Sequence, residues 1–237
     1  MSKNQFVKSI LSGGKLTITG TGGKDVVSIV KDGSNIVVTI KNAMGATSTE
    51  TYPYASVTSI DFNGFAGNDS FTNNTDIHCT AKGGSGNDVL RGGSGNDTLI
   101  GGTGSDKISG RKGSDNILAG GGVDTCDGGD GDDNISGGAG DDDLIGGEGN
   151  DTMQGDQGND VCDGEGGNDD IYGGDDDDDL YGGSGDDHLD GGQGDDDLDG
   201  EDGDDDIIGG GGNDDNNDQD DPMDDEDNED EDENENN

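Results

Sequence analysis

A nine-residue repeat that runs without insertion or deletion constrains this chain more than any other feature. Residues 83–217 divide into fifteen consecutive nonapeptides, and the first two read GGSGNDVLR and GGSGNDTLI. Positions 1 and 4 are each Gly in fourteen repeats, and position 6 is Asp in all fifteen. A period held over so many copies predicts a solenoid, in which each unit buries its apolar side chain against its neighbours.

The apolar side chain of each repeat lies at position 8, which is apolar in fourteen copies and Asn216 in the last. One apolar residue in nine fits neither a helix face of period 3.6 nor a long strand of period 2. It predicts a three-residue strand at positions 7–9 and a six-residue turn in which Gly supplies positive φ values. Two nonapeptides then form one turn of a flattened all-β solenoid.

The pattern GGxGxDxUx over residues 83–217 resembles the RTX, or haemolysin-type, calcium-binding nonapeptide. The resemblance implies a right-handed parallel β-roll with Ca²⁺ held between successive turns by position 6 carboxylates and glycine-turn carbonyls. The metal ligands that it implies are Asp88, Asp97, Asp106, Asp115, Asp124, Asp133, Asp142, Asp151, Asp160, Asp169, Asp178, Asp187, Asp196, Asp205 and Asp214.

The chemistry of these side chains agrees with calcium, a hard cation that takes six to eight oxygen ligands. Stacking the turns places the aspartates in two rows of eight and seven, with neighbours ~4.8 Å apart. Such rows repel themselves unless cations lie between the carboxylates. One ion between each adjacent pair gives about 13 ions. Because the apolar side chains are few and the entropy of ordering is large, we expect the metal-free block to be disordered and to fold on binding calcium.

The two flanks differ from the repeats. Residues 1–82 contain alternating β-branched runs, with a hairpin turn at residues 32–34, and predict an antiparallel β cap that grades into the roll. The stretch GFAGNDSFT matches the repeat, with Asp69 at position 6, and Cys79 stands where the next Asp is expected. The roll is predicted to end near Gly209, and residues 218–237, with 13 acids and no base, predict a disordered acidic tail.

The remaining reactive side chains offer no catalytic set, so the sequence indicates a protein that is not an enzyme. Cys126 and Cys162 both hold position 8, two turns apart, which separates them by ~9.6 Å and exceeds the reach of a disulfide. His188 stands alone at an outward position.

The net charge of −47 disfavours nucleic acid and anionic membranes as partners and favours cations. The first residues lack the apolar core of a signal peptide, and no window approaches a membrane span. Many calcium sites of modest affinity need millimolar calcium, which predicts an extracellular location. The sequence does not indicate the export route or any protein or surface partner. The alternative is an acidic protein that binds a mineral or another surface, whereas ice binding is disfavoured because position 3 carries no Thr row.

Overall fold

The computed structural model describes residues 8–217, and the predicted acidic tail lies outside them. These residues form an all-β parallel solenoid of about nine turns, made of two long sheets that face each other. In chain order the strands are β1 Lys8–Ser12, β2 Lys15–Thr19, β3 Val26–Asp32, β4 Asn35–Lys41, β5 Thr47–Pro53, β6 Ser59–Ala66, β7 Ser70–Asn74, β8 Cys79–Ser85, β9 Val89–Arg91, β10 Thr98–Thr103, β11 Lys107–Lys112, β12 Asn116–Gly121, β13 Thr125–Asp130, β14 Asn134–Ala139, β15 Asp143–Glu148, β16 Thr152–Gln157, β17 Val161–Gly166, β18 Asp170–Asp175, β19 Asp179–Ser184, β20 His188–Gln193, β21 Asp197–Asp202, β22 Asp206–Gly211 and β23 Asp215–Asn217. A short 3₁₀ helix, Tyr54–Ser56, follows β5.

Strands of the roll alternate between the two sheets. One sheet runs β1-β2-β6-β8 and continues through the even-numbered strands to β22, and the other runs from β23 through the odd-numbered strands to β7-β3-β4-β5. From β8 and β9 onwards, paired strand residues lie 18 positions apart, as Leu99 and Ile117 do. Two nonapeptides therefore make one turn, as the sequence predicts.

The strands are longer than predicted. A typical strand such as β10 covers positions 7, 8 and 9 of one repeat and positions 1, 2 and 3 of the next. Only the Gly-x-Asp of positions 4–6 is left to turn the chain. The prediction of a three-residue strand was wrong because parallel pairing uses backbone groups, which the glycines at positions 1 and 2 also carry.

The core is a single file of position 8 side chains between the sheets. From Leu90 to Leu198 each of them is at most 3% exposed, and they continue the apolar core of residues 16–81. Phe62 and Phe71 stack across the two sheets where cap and roll meet, with ring centroids 5.0 Å apart. Burial of these side chains is what fixes the register of every turn.

The N-terminal segment is the predicted cap. β1 pairs antiparallel with β2, and β3, β4 and β5 form an antiparallel meander whose first two strands are joined at Gly33 and Ser34. β2 and β3 then pair parallel with β6 and β7, so each sheet of the roll continues directly into the cap. The edge strands of the two sheets at this end are therefore β1 and β5.

The C-terminal end corrects one expectation. The roll does not stop near Gly209, because β22 extends to Gly211 and β23 pairs with β21. Asn216 stands opposite Leu198 although its side chain is exposed. The apolar pattern ends before the backbone ladder does, so the pattern alone placed the boundary too early.

Candidate metal centres

The fifteen position 6 aspartates lie at the two narrow sides of the roll, where the chain passes from one sheet to the other. The first row comprises Asp88, Asp106, Asp124, Asp142, Asp160, Asp178, Asp196 and Asp214, and the second comprises Asp97, Asp115, Asp133, Asp151, Asp169, Asp187 and Asp205. Every member from Asp88 to Asp196 is at most 3% exposed. Both predicted rows are therefore present, and their carboxylates are buried to a degree that Asp seldom shows.

A regular hydrogen-bond ladder holds each row. From Asp88 to Asp196, the backbone N–H of each row Asp donates to Oδ1 of the Asp 18 residues later, as Asp124 does to Asp142 at 2.7 Å and Asp115 does to Asp133 at 2.6 Å. The turn therefore fixes the carboxylate rigidly and uses one of its two oxygens. This contact explains why position 6 carries a short side chain with an acceptor oxygen in every copy.

The other carboxylate oxygen, Oδ2, is buried and accepts no hydrogen bond from any described residue in most of these aspartates. In the first row this holds for Asp88, Asp106, Asp124, Asp142, Asp160, Asp178 and Asp196, and in the second for Asp115, Asp133, Asp151, Asp169 and Asp187. A buried charged oxygen without a partner is costly. Each such oxygen is therefore available to a cation.

The glycine at position 1 has no side chain, which leaves open the space beside Oδ2 of the position 6 Asp. A Cβ placed on Gly137 would lie 2.6 Å from Oδ2 of Asp142 and 3.0 Å from the carbonyl oxygen of Gly155, one turn further on. The same pairing of a carboxylate oxygen with a carbonyl of the next turn recurs along both rows. A carboxylate and a carbonyl oxygen thus converge on one small cradle that any larger residue would narrow.

Burial raises the pKa of these carboxyl groups. Desolvation is the largest cause, and neighbouring carboxylates of the row add to it, whereas the backbone hydrogen bond opposes it. The pKa of Asp133 rises to about 7 and that of Asp142 to about 6. The charged form of these carboxylates is therefore unfavourable at neutral pH, and a nearby positive charge would stabilise it.

The donor set selects the kind of cation. No group of three His, Cys, Asp or Glu side chains within residues 8–217 is arranged to hold a metal by itself. Any ion held in the rows must therefore take backbone carbonyl oxygens together with carboxylates. An all-oxygen set of this kind suits calcium and does not suit zinc or copper.

Two further aspartates join the first row and were missed as ligand candidates. The Asp25 N–H donates to Oδ1 of Asp69, and the Asp69 N–H donates to Oδ1 of Asp88, both at 2.6 Å. The repeat pattern identifies Asp69 as a position 6 match, but Asp25 lies outside the unbroken run of repeats. The signal was present, because Gly20, Gly23, Asp25 and Val27 hold positions 1, 4, 6 and 8 of one nonapeptide.

Asp97 departs from the other members of the second row. Its Oδ1 accepts the Cys79 N–H at 2.5 Å and its Oδ2 accepts the Gly93 N–H at 2.7 Å. Both oxygens are thus engaged by the backbone. Cys79 does occupy the place of the missing Asp, as the spacing predicts, but it brings no carboxylate to the head of the row.

The cysteines and histidines are not part of the rows. Cys126 and Cys162 lie on β13 and β17, separated by β15, and both are free and buried, as predicted. Burial raises the pKa of each thiol, so neither is poised to react. His188 is not alone, since its Nδ1 lies 3.2 Å from Oδ2 of Asp206 and its ring contacts Tyr172 edge-on.

Comparison with known families agrees with this geometry. Residues 80–215 match the RTX calcium-binding nonapeptide repeat in overlapping blocks, among them 80–108, 100–135, 136–171 and 181–215. The chain belongs to this family. Its repeats imply calcium binding and the β-roll fold, and the family is a structural one that is not typically enzymatic. No curated protein matches the chain. Within the described residues no helix is long and apolar enough to cross a membrane.

Proposed function

We propose that residues 83–217 are a calcium-dependent folding module whose position 6 aspartates are the metal ligands. The observation that carries the proposal is the buried Oδ2 that recurs without a hydrogen-bond partner along both rows. Among the described residues, twelve of the fifteen aspartates offer this oxygen, and a carbonyl of the next turn lies beside it in most of them. Calcium would supply the positive charge that the row lacks.

Contacts within the chain position the oxygen atoms of each proposed calcium site. Backbone N–H groups fix Oδ1, position 1 glycine keeps the cradle open, and the position 8 file holds consecutive turns in register. The backbone hydrogen bond offsets only part of the cost of burying the charge, since desolvation is the larger effect. Without metal, the folded roll is therefore less stable than the unfolded, solvated chain. Metal binding and folding are then one process. Since each turn contacts only its neighbours, folding propagates along the stack and titrates cooperatively.

The stoichiometry and the setting follow from the rows. One ion between each adjacent pair of turns gives about 13 ions for the repeat block. Sites of this type, which combine few carboxylate oxygens with neutral carbonyl oxygens, bind each ion weakly, in the range of extracellular calcium modules at ~10⁻⁴ to 10⁻³ M. A module tuned to that range folds outside the cell and stays unfolded at resting cytosolic calcium. We therefore place the protein outside the cell, with residues 1–82 as its cap and no enzymatic role.

Far-UV circular dichroism of the whole chain, titrated with Ca²⁺ and in parallel with Mg²⁺, tests the proposal. We expect a cooperative gain of β signal with Ca²⁺ at millimolar concentration and little change with Mg²⁺, which demands a tighter octahedral site. A repeat block that is fully β in EDTA, or that stays coil at 10 mM Ca²⁺, contradicts calcium-dependent folding.

A second candidate function is adsorption to a calcium mineral. Asp179, Asp197 and Asp215 pair in register on adjacent strands β19, β21 and β23, and all three are exposed. Such a ladder presents carboxylates at the ~4.8 Å spacing of a sheet. Adsorption of the calcium-loaded chain to calcite, lost in a variant with these three residues changed to Asn, would support this role. Equal adsorption of that variant would refute it.

A further inference from the structure

We propose that the Arg111 guanidinium takes, at the head of the second row, the role that calcium takes elsewhere, so that residues up to 112 fold without the metal. The inference rests on the proposed function, because it names a place in the roll where a side chain supplies the positive charge. It also divides the molecule into a calcium-independent nucleus and a calcium-dependent remainder.

The head of the second row has no carboxylate to offer an ion. Cys79 holds the position of the first Asp, and the next member, Asp97, has both oxygens engaged by the N–H groups of Cys79 and Gly93. All later members from Asp115 to Asp187 keep a buried Oδ2 without a partner among the described residues. The interval between Cys79 and Asp97 therefore lacks the unpartnered carboxylate oxygen that a calcium ion needs.

The carbonyl oxygens of that interval are instead bound by a side chain from the following turn. Arg111 Nη1 lies 3.2 Å from the carbonyl oxygens of both Asn73 and Gly92 and 3.0 Å from Oδ1 of Asn74, and donates to all three. One guanidinium group on β11 thus binds β7 and the residue that follows β9, and so links three successive turns of this sheet. A bridge of this kind does for three turns what an ion between turns is proposed to do for two.

The bound carbonyls are the ones that elsewhere face the carboxylate rows. Thr72 pairs with Arg91, so the next residues, Asn73 and Gly92, hold position 1 of successive turns. The position 1 carbonyl of Gly155 faces the unpartnered Oδ2 of Asp142 in a regular turn. At the head of the second row this carbonyl faces Arg111 instead.

The backbone at Arg111 shows that the residue is held there at a cost. Its φ is +84°, in the left-handed region that favours Gly, and eleven of the fifteen repeats have Gly at this position. The other departures are Asp156, Glu165 and Glu201, also at positive φ. All three are acidic, so Arg111 alone brings positive charge to position 2.

The distribution of charged residues and of buried apolar residues agrees with a division of the chain near residue 112. Residues 1–112 contain all 11 bases and nine of the 58 acids, whereas residues 113–237 contain the other 49 acids and no base. Half of the buried apolar residues, 14 of 28, lie between Leu16 and Ala81. The first part has a dense core and only four row aspartates with a buried oxygen that lacks a partner among the described residues: Asp25, Asp69, Asp88 and Asp106. The second part has a single file of core side chains and ten such aspartates from Asp115 to Asp196.

Hydrogen exchange of the full chain, read by mass spectrometry in EDTA and in 10 mM CaCl₂, tests the inference on wild type, Arg111→Gly and Glu165→Gly. The Glu165→Gly control makes the same change at the same repeat position of the same row, and relieves the same positive φ, without removing a bridge. In EDTA we expect wild type and Glu165→Gly to protect amides in residues 15–112 and not in residues 113–217. Arg111→Gly is expected to lose protection over residues 70–112 at least tenfold.

The outcomes separate this inference from the proposed function. Unprotected wild-type residues 70–112 in EDTA, or equal protection of Arg111→Gly and wild type there, overturns the inference. Gain of protection over residues 113–217 on adding calcium tests the proposed function alone, since all three chains should show it. Arg111→Lys adds a second check, because an ammonium lacks the planar fork and should restore only part of the protection.

Discussion

Replacing one buried carboxylate in the middle of a row is the sharpest single perturbation, and Asp142→Asn is the variant of choice. Asp142 is 3% exposed, accepts the Asp124 N–H through Oδ1 and leaves Oδ2 buried. Asn has the same shape and keeps the Oδ1 acceptor, so the ladder survives. The variant removes one negative charge and one metal-facing oxygen, and little else.

The magnitude follows from the position of Asp142 between two intervals of the first row. Loss of a ligand weakens a metal site by tenfold or more, about 1.4 kcal/mol. With both adjoining intervals affected, the calcium-loaded roll should lose about 3 kcal/mol of its free energy of unfolding. At a urea m-value of about 2 kcal/mol/M, the urea midpoint should fall by about 1.5 M.

The assay is urea unfolding at 10 mM CaCl₂, followed by circular dichroism, with Asp141→Asn as the control. Asp141 is the neighbouring exposed carboxylate, so the control removes the same charge from the same turn. Its effect should stay within about 0.5 kcal/mol. Equal shifts for the two variants would refute the reasoning, because they would show that general charge and not the buried oxygen governs stability.

Three further perturbations test other parts of the account. Without calcium, burial raises the pKa of Asp133 from 3.8 to about 7 and that of Asp142 to about 6, so the folded state binds protons more tightly than the unfolded chain. The stability that these groups contribute is present below about pH 4 and is lost as pH rises through 6–7. Circular dichroism in EDTA should accordingly show more β structure at pH 4.5 than at pH 8, and the reverse order contradicts this. In calcium, Leu144→Ala at a fully buried core position should cost about 2–5 kcal/mol in urea unfolding, whereas Leu118→Ala, 38% exposed, should change little; equal effects would refute the single-file core. Glu201→Gly, with φ +66°, should stabilise the loaded roll by about 1 kcal/mol, and Gly192→Ala should destabilise it because the new Cβ meets a carbonyl of the preceding turn; no difference in thermal midpoint between the two would contradict the backbone argument.

Much of the fold could be predicted from side chains because the repeat reports directly on burial. The position 8 apolar residues and position 6 aspartates gave the turn length, the two sheets and both rows. The length of the strands could not be read, because glycines at positions 1 and 2 join the ladder through backbone groups alone. For the same reason the roll continues past its last apolar residue, through the pairing of Asp197 with Asp215.

The head of each row was the hardest part to predict. Asp25 is separated from Asp69 by the meander β4–β5, so it falls outside the unbroken register of the repeats. Asp97 satisfies the motif but not the geometry, since its Oδ2 accepts the Gly93 N–H. The part played by Arg111 depends on contacts 19 to 38 residues away along the chain, which no local pattern displays.

Native mass spectrometry of the full chain tests the central claim most directly, because it counts bound ions and reports compactness in the same spectrum. At saturating calcium we expect a narrow, low charge-state distribution carrying about 13 calcium ions. In EDTA we expect a broader distribution with higher charge states, because residues 113–217 are then extended. Intermediate calcium should show the two populations together, as cooperative folding along a stack requires. A compact chain without calcium, or a compact chain with only one or two ions, would contradict the claim that the buried aspartate rows fold by binding calcium.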